Sequence, residues 1–156
     1  MDTEHPPEGD VYSGLRPSAE VDRLCARIAA TAEGVFDLRQ RPRPPALRRR
    51  LVDGVGFGSA PATRLGFVLL VADELVDNAY RHTGAPLSLR YTRHRAGLLL
   101  EVTDGEPRNA HTLTAIRGGA HSRGTGLAVV ANLALAWGVD RDVTEKTVWA
   151  LLPDQA

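Results

Sequence analysis

The stretch Leu65-Gly-Phe-Val-Leu-Leu-Val-Ala-Asp-Glu-Leu-Val-Asp-Asn-Ala-Tyr-Arg-His-Thr83 decides how the rest of this 156-residue chain is read. Leu65, Val68, Leu69, Ala72, Leu75, Val76 and Ala79 recur at steps of three and four, the stripe of an amphipathic helix laid on a core. The spacing predicts a helix from Pro61 or Ala62 to His82, with Gly84 as its C-terminal stop. Glu74 and Asn78 stand four apart on another side of that helix, so their Cβ atoms are neighbours at about 5–6 Å. A carboxylate and a carboxamide so placed can serve as hard oxygen ligands for Mg²⁺, or as one base and one ligand. By itself such a pair is most often a solvated face, so the neighbouring segments decide its meaning.

Downstream, Leu87, Leu89 and Tyr91 alternate with Ser88, Arg90 and Thr92, and Leu98, Leu100 and Val102 alternate with Leu99, Glu101 and Thr103. Joined by the turn Arg95-Ala-Gly97, the two runs predict an antiparallel pair that enters Asp104-Gly105-Glu106-Pro107, where proline ends the ladder. Arg108 to Arg123 is broken by Gly118 and Gly119 and reads as a cover segment. A helix over Leu127 to Ala136 follows Gly124-Thr-Gly126, and strands over Ala136–Asp140 and Thr147–Leu152 close the chain. Upstream, Ser18 is a good N-cap for a first helix that buries Val21, Leu24, Cys25, Ile28 and Ala29 and ends near Gly34. Residues 1–17 read as a flexible tail with a short edge strand. Residues 40–58, rich in Arg and Pro, read as an insertion in which Arg41 to Pro45 is non-helical and Ala46 to Val52 forms a short helix. This order predicts one α+β domain over 18–152, a two-layer sandwich with helices on one face of a mixed, mostly antiparallel sheet.

The bulk composition narrows the functional classes. The chain is 43% hydrophobic and 24% charged, with 19 basic and 19 acidic residues, so net charge favours neither nucleic acid nor a membrane surface. Arginine carries nearly all the positive charge, Lys146 being the sole lysine. Arg39, Arg41, Arg43, Arg48, Arg49 and Arg50 form one basic cluster, read as solvated surface or as a dock for an acidic partner. A single cysteine, Cys25, allows no disulfide within the chain. No basic leader with an apolar run is visible, nor an apolar run of the ~20 residues that span a bilayer. The expected location is the cytoplasm. The histidines lack the spacing of a transition-metal site.

Three motifs together resemble a known family. Glu74-Leu-Val-Asp-Asn78 is similar to the N box of the Bergerat-fold ATPases, the superfamily of gyrase, chaperone, histidine-kinase and mismatch-repair ATPases. Asp104-Gly105 is similar to the start of their first glycine box, and Arg123-Gly-Thr-Gly-Leu127 to their second. Chain length and the phrase Thr147-Val-Trp-Ala-Leu most resemble the small stand-alone members, the anti-sigma serine/threonine kinases and their actinobacterial relatives. The physical chemistry of the segments agrees: a helix start at Gly124, Thr125, Gly126 and Leu127 offers free N–H groups to phosphate, and Asp104 can accept from an exocyclic amine.

The resemblance implies ATP and Mg as cofactors, with Asn78 ligating Mg²⁺ and Glu74 as general base. Asp77 and Arg81 would flank the site, His82 would reach phosphate or serve the helix end, and Thr147 would support the base. It implies a regulatory protein that binds a sigma factor or phosphorylates an anti-anti-sigma partner on Ser or Thr, with a homodimer as the expected assembly. One departure bears on this. The family has glycine two residues after the aspartate, where this chain has Glu106. The alternative is therefore a non-catalytic protein-binding module whose nucleotide binding is degenerate or regulatory. A detached histidine-kinase catalytic domain fits less well, because no phospho-acceptor helical hairpin is present.

Overall fold

The computed structural model describes residues 10–11, 32–56, 60–82, 85–94, 97–105 and 125–153. Six strands form one sheet: β1 (Asp10–Val11), β2 (Ala32–Asp37), β3 (Pro86–His94), β4 (Gly97–Asp104), β5 (Ala136–Arg141) and β6 (Lys146–Pro153). Their spatial order is β1-β5-β6-β4-β3-β2. Every pairing among them is antiparallel, so the mixed sheet expected from the sequence is not what these strands form. Short reversals join β3 to β4 and β5 to β6, whereas β2 pairs with β3 across the segment that carries two helices, and β6 lies between β5 and β4. Among the described residues three helices, α1 (Pro44–Val55), α2 (Ala62–His82) and α3 (Thr125–Leu133), complete the α+β architecture.

All three helices cover one face. Leu47, Leu51 and Val55 of α1, Val68, Val71, Ala72, Leu75, Val76 and Ala79 of α2, and Leu127 and Val130 of α3 share one buried cluster with the strands. From the sheet come Phe36, Leu89, Tyr91, Leu98, Leu100, Val102, Val139, Val148, Ala150 and Leu152, all of one alternation parity. The helical stripe read from the sequence is thus the buried stripe of α2, because only that arc offers uninterrupted apolar surface to the pleat. The opposite face has its own buried cluster of Leu99, Ala136, Trp149 and Leu151. Trp149 lies across Gly138, where an added Cβ would come within 2.9 Å of the indole ring.

Two expectations upstream change. The first helix cannot run to Gly34, because Ala32–Asp37 is strand β2, paired with β3 from Ala32↔Arg93 to Asp37↔Ser88. Its alternation is physical: Phe36 is buried and packs 5.7 Å from the Tyr91 ring, whereas Val35 and Asp37 are exposed. The rest of the expected helix over 18–31, and the tail apart from β1, lie outside the described residues.

The stretch 40–58 is more than an inserted linker, since α1 within it supplies three core side chains. Pro44 and Pro45 occupy its N1 and N2 positions, where a missing N–H costs nothing because the first turn has no acceptor for it. The helix ends on Gly56 in the left-handed conformation (φ 66°), whose N–H donates to the Val52 carbonyl at 3.2 Å. Arg93 Nη1 donates to the Val55 and Gly56 carbonyls at 2.9 and 2.8 Å, a cation on the negative end of α1.

Candidate functional site at one end of the sheet

Connectivity brings the C-terminus of α2, the N-terminus of α3 and the ends of β4 and β6 to the same end of the sheet. Helix α2 reverses into β3, whose first residue Pro86 pairs with Asp104, the last of β4. Helix α3 reverses into β5, whose last residue Arg141 pairs with Lys146, the first of β6. Asp104 and Lys146 are themselves register partners. Helix α2 packs on α3 and on strands β3, β4 and β6, which puts its C-terminal half over this end.

On α2, Glu74, Asp77 and Asn78 are half-buried along one edge of the buried stripe and Arg81 is exposed. Asn78 Nδ2 is buried and makes no hydrogen bond among the described residues. Such an orphaned donor is uncommon in a folded chain. Burial holds the Glu74 carboxyl above its ordinary value, with the Asp77 and Asp73 carboxylates pushing the same way and the Arg81 guanidinium pulling it back. Arg81 Nε lies 3.0 Å from Asp77 Oδ2, one helical turn away. Glu74 and Asp77 also line a cleft of about 390 Å³ between α1 and α2, walled by Leu47, Arg48, Leu70 and Tyr80. Its far rim is closed by Arg48, whose Nε and Nη2 donate to Asp73 at 2.8 and 2.5 Å.

Asp104 is 1% exposed and stands on the helix-covered face, as its register with Pro86 and Lys146 requires. Its carboxylate is not held open for a ligand alone: Lys146 Nζ, itself 0% exposed, lies 3.4 Å from Asp104 Oδ2. At that distance the contact is an ion pair rather than a well-formed hydrogen bond. Gly105 donates its N–H to the Ala85 carbonyl at 2.9 Å, which fixes the exit of β4 beside the end of α2.

Thr147 is not part of this end's helix-covered face. It pairs with Thr103, and the two hydroxyls hydrogen-bond at 2.8 Å on the opposite side of the sheet. The side chain beside Asp104 on the helix-covered face is that of Lys146. Its uniqueness in an otherwise arginine-only set of cations was the one sequence signal for it.

Of the second glycine motif, Thr125 and Gly126 form the first turn of α3 and Leu127 is buried under it. Arg123 and Gly124, the cover segment 106–124 with Glu106, and the side chain of His82 lie outside the described residues. The basic cluster is largely engaged within the fold: Arg39 pairs with Asp37 at 2.7 Å, Arg48 with Asp73, Arg41 stacks over Tyr80 at 5.2 Å and Arg50 over Phe36 at 5.0 Å. No described helix is long and apolar enough to cross a membrane.

Searches of the sequence against protein-family models and against curated proteins give no match.

Proposed function

We propose that this end of the sheet binds Mg-ATP, and that the chain is a regulatory kinase of the anti-sigma type acting on a Ser or Thr of an anti-anti-sigma partner. The observation that carries the reading is the edge of α2, where a half-buried Glu74 with a raised pKa stands one turn from Asn78 and its unsatisfied buried amide. The residues fit a phosphate-bearing ligand. Asn78 offers an amide in search of a partner, α3 starts at the same end with N–H groups free of intrahelical acceptors, and Asp104 offers an acceptor already accompanied by Lys146.

Bound Mg-ATP would supply the transferable phosphoryl group and a divalent charge. The chain's own part is proton handling and placement. Glu74, made more basic by burial, accepts the proton of the partner's hydroxyl, a role typically worth about 10²–10⁴ in rate. Asn78 orients the phosphate side of the ligand, and Asp77, held by Arg81, keeps a second carboxylate beside the base. A cytoplasmic location and a homodimer belong to the same reading.

A second reading has its own support: the Asp104–Lys146 ion pair, together with Glu106, favours a binding module that holds a sigma factor or similar protein without turning nucleotide over. Titration calorimetry with Mg-ATP, followed by transfer of labelled phosphate to a candidate partner, separates the two. Binding with transfer that is lost in Glu74→Gln supports the kinase. Binding without transfer supports the module with regulatory nucleotide, and absence of binding removes the kinase.

A further inference from the structure

The cleft between α1 and α2 is lined by neither Asp104 nor any residue of α3. Its volume of about 390 Å³ lies within the range of about 300–1,000 Å³ that accommodates compact ligands. Leu47, Leu70, Val76 and Tyr80 give it apolar surface, and Leu70 is 41% exposed although it is a large aliphatic residue. Asp73, Glu74 and Asp77 line the same cleft within one turn of α2, so the lining holds three carboxylates and one cation, Arg48. Two of these carboxylates already take a guanidinium: Arg48 forks onto Asp73, and Arg81 reaches Asp77 at 3.0 Å. Glu74, between them in sequence, forms no salt bridge among the described residues. The first turn of α1 offers an anion no free N–H. Pro44 and Pro45 have none, and those of Ala46 and Leu47 donate to the Arg43 carbonyl at 3.0 and 3.1 Å.

We propose that this cleft docks a partner protein through an arginine flanked by aliphatic side chains. The aliphatic neighbours cover Leu70 and the apolar surface beside it. The guanidinium lies against Glu74 and repeats there the contacts that Arg48 and Arg81 make on either side. Arginine suits the place better than lysine, because its stem packs on apolar surface while its planar fork can span two carboxylates. A guanidinium beside Glu74 also lowers the proton affinity of that carboxyl. The docked state therefore holds the partner without phosphorylating it, and it needs no nucleotide.

The probe is a blocked peptide, acetyl-Ala-Leu-Arg-Leu-Ala-amide, titrated into the ¹⁵N-labelled full chain in the absence of nucleotide. Saturable amide shifts centred on Leu47, Leu70, Glu74 and Tyr80 are expected. The same peptide carrying citrulline, the neutral isostere of arginine, is expected to bind about fivefold or more weakly. In the double variant Glu74→Gln, Asp77→Asn, checked for fold by its amide spectrum, the two peptides are expected to bind alike. Should that variant fail to fold, the two peptides on the wild-type chain decide. No saturable shift up to about 5 mM peptide overturns the inference, as do shifts centred elsewhere or equal binding of the citrulline peptide to the wild-type chain. Acetylarginine amide binding as tightly as the peptide would make this a small-cation site. Shifts of the same amides with chain concentration alone would make it a contact between copies, and either result overturns the docking of a partner. Mg-ATP binding is tested separately by calorimetry and is untouched by all of these outcomes.

Discussion

Helix α1 is positioned on the sheet by a contact that a single methyl group would disturb. Tyr91 of β3 is 6% exposed and stands between two glycines, Gly34 of β2 and Gly54 of α1. A Cβ at Gly54 would lie 2.7 Å from the Tyr91 hydroxyl and 3.1 Å from Cε1 and Cζ. Alanine ordinarily favours a helix over glycine by up to about 1 kcal/mol, whereas overpacking a buried contact costs about 1–3 kcal/mol. The ring has little room to swing clear, because on its other side it lies so close to Gly34 that even an added Cβ there would come within 2.5 Å of Cε1, and Phe36 packs beside it. Gly54→Ala is therefore expected to destabilise by up to about 2 kcal/mol. In a Tyr91→Phe background the nearest contact relaxes to 3.1 Å and the same change becomes neutral or stabilising. Urea unfolding of the four proteins measures the coupling, expected at about 1 kcal/mol or more. A Gly54→Ala chain stabilised by the full helical preference, with the two substitutions additive, would refute the reasoning.

The other perturbations concern charge. Glu74→Gln is expected to stabilise the fold near neutral pH and to lose that advantage in acid. The folded carboxyl titrates above its ordinary 4.5, so its ionised form costs stability at pH values above that shifted window, while below 4.5 both states are protonated. Thermal melts of both chains across pH 3–8 check the convergence. Lys146→Met should lower stability by removing the buried ammonium that faces the Asp104 carboxylate, and Asp104→Asn added to it should recover part of the loss, read from denaturant midpoints. Arg48→Met, which opens the bidentate contact to Asp73 at the cleft rim, should cost little because both partners are partly exposed, and the loss should shrink in high salt. Asp142 accepts from the Thr144 and Glu145 N–H groups at 2.7 Å in the β5–β6 turn, bonds that depress its pKa. Asp142→Ala should lower the melting temperature at neutral pH, and the difference should vanish as acid protonates Asp142 through its lowered folded value.

Much of the frame was legible because its periodicities were clean. The α2 stripe has seven apolar positions, and the β3–β4 pair is bounded by a turn on one side and Pro107 on the other. Strand β2 was hidden because Gly34 imitates a helix stop, and its inward residues are only Phe36 and, just beyond the strand, Leu38. Helix α1 was underestimated since Pro44-Pro45 reads as a break, although at N1 and N2 proline opens a helix. The placement of Glu74 and Asn78 one turn apart on α2 could be read from spacing alone. The state of Asp104 could not, because an ion pair across two strands depends on register.

That register was concealed by the sheet itself. A strand with one wet face announces its inward residues by alternation, but every residue from Val148 to Leu152 is buried, as is every residue from Gly97 to Val102. Val148, Ala150 and Leu152 face the helices while Trp149 and Leu151 fill the other face, and both sets are apolar. With no polar side to mark the phase, Lys146 and Thr147 were equally eligible as the neighbour of Asp104. A one-residue change of phase exchanges a hydroxyl for an ammonium beside that carboxylate. Which side chain stands beside Asp104 therefore turns on pleat parity, which a strand buried on both faces does not display.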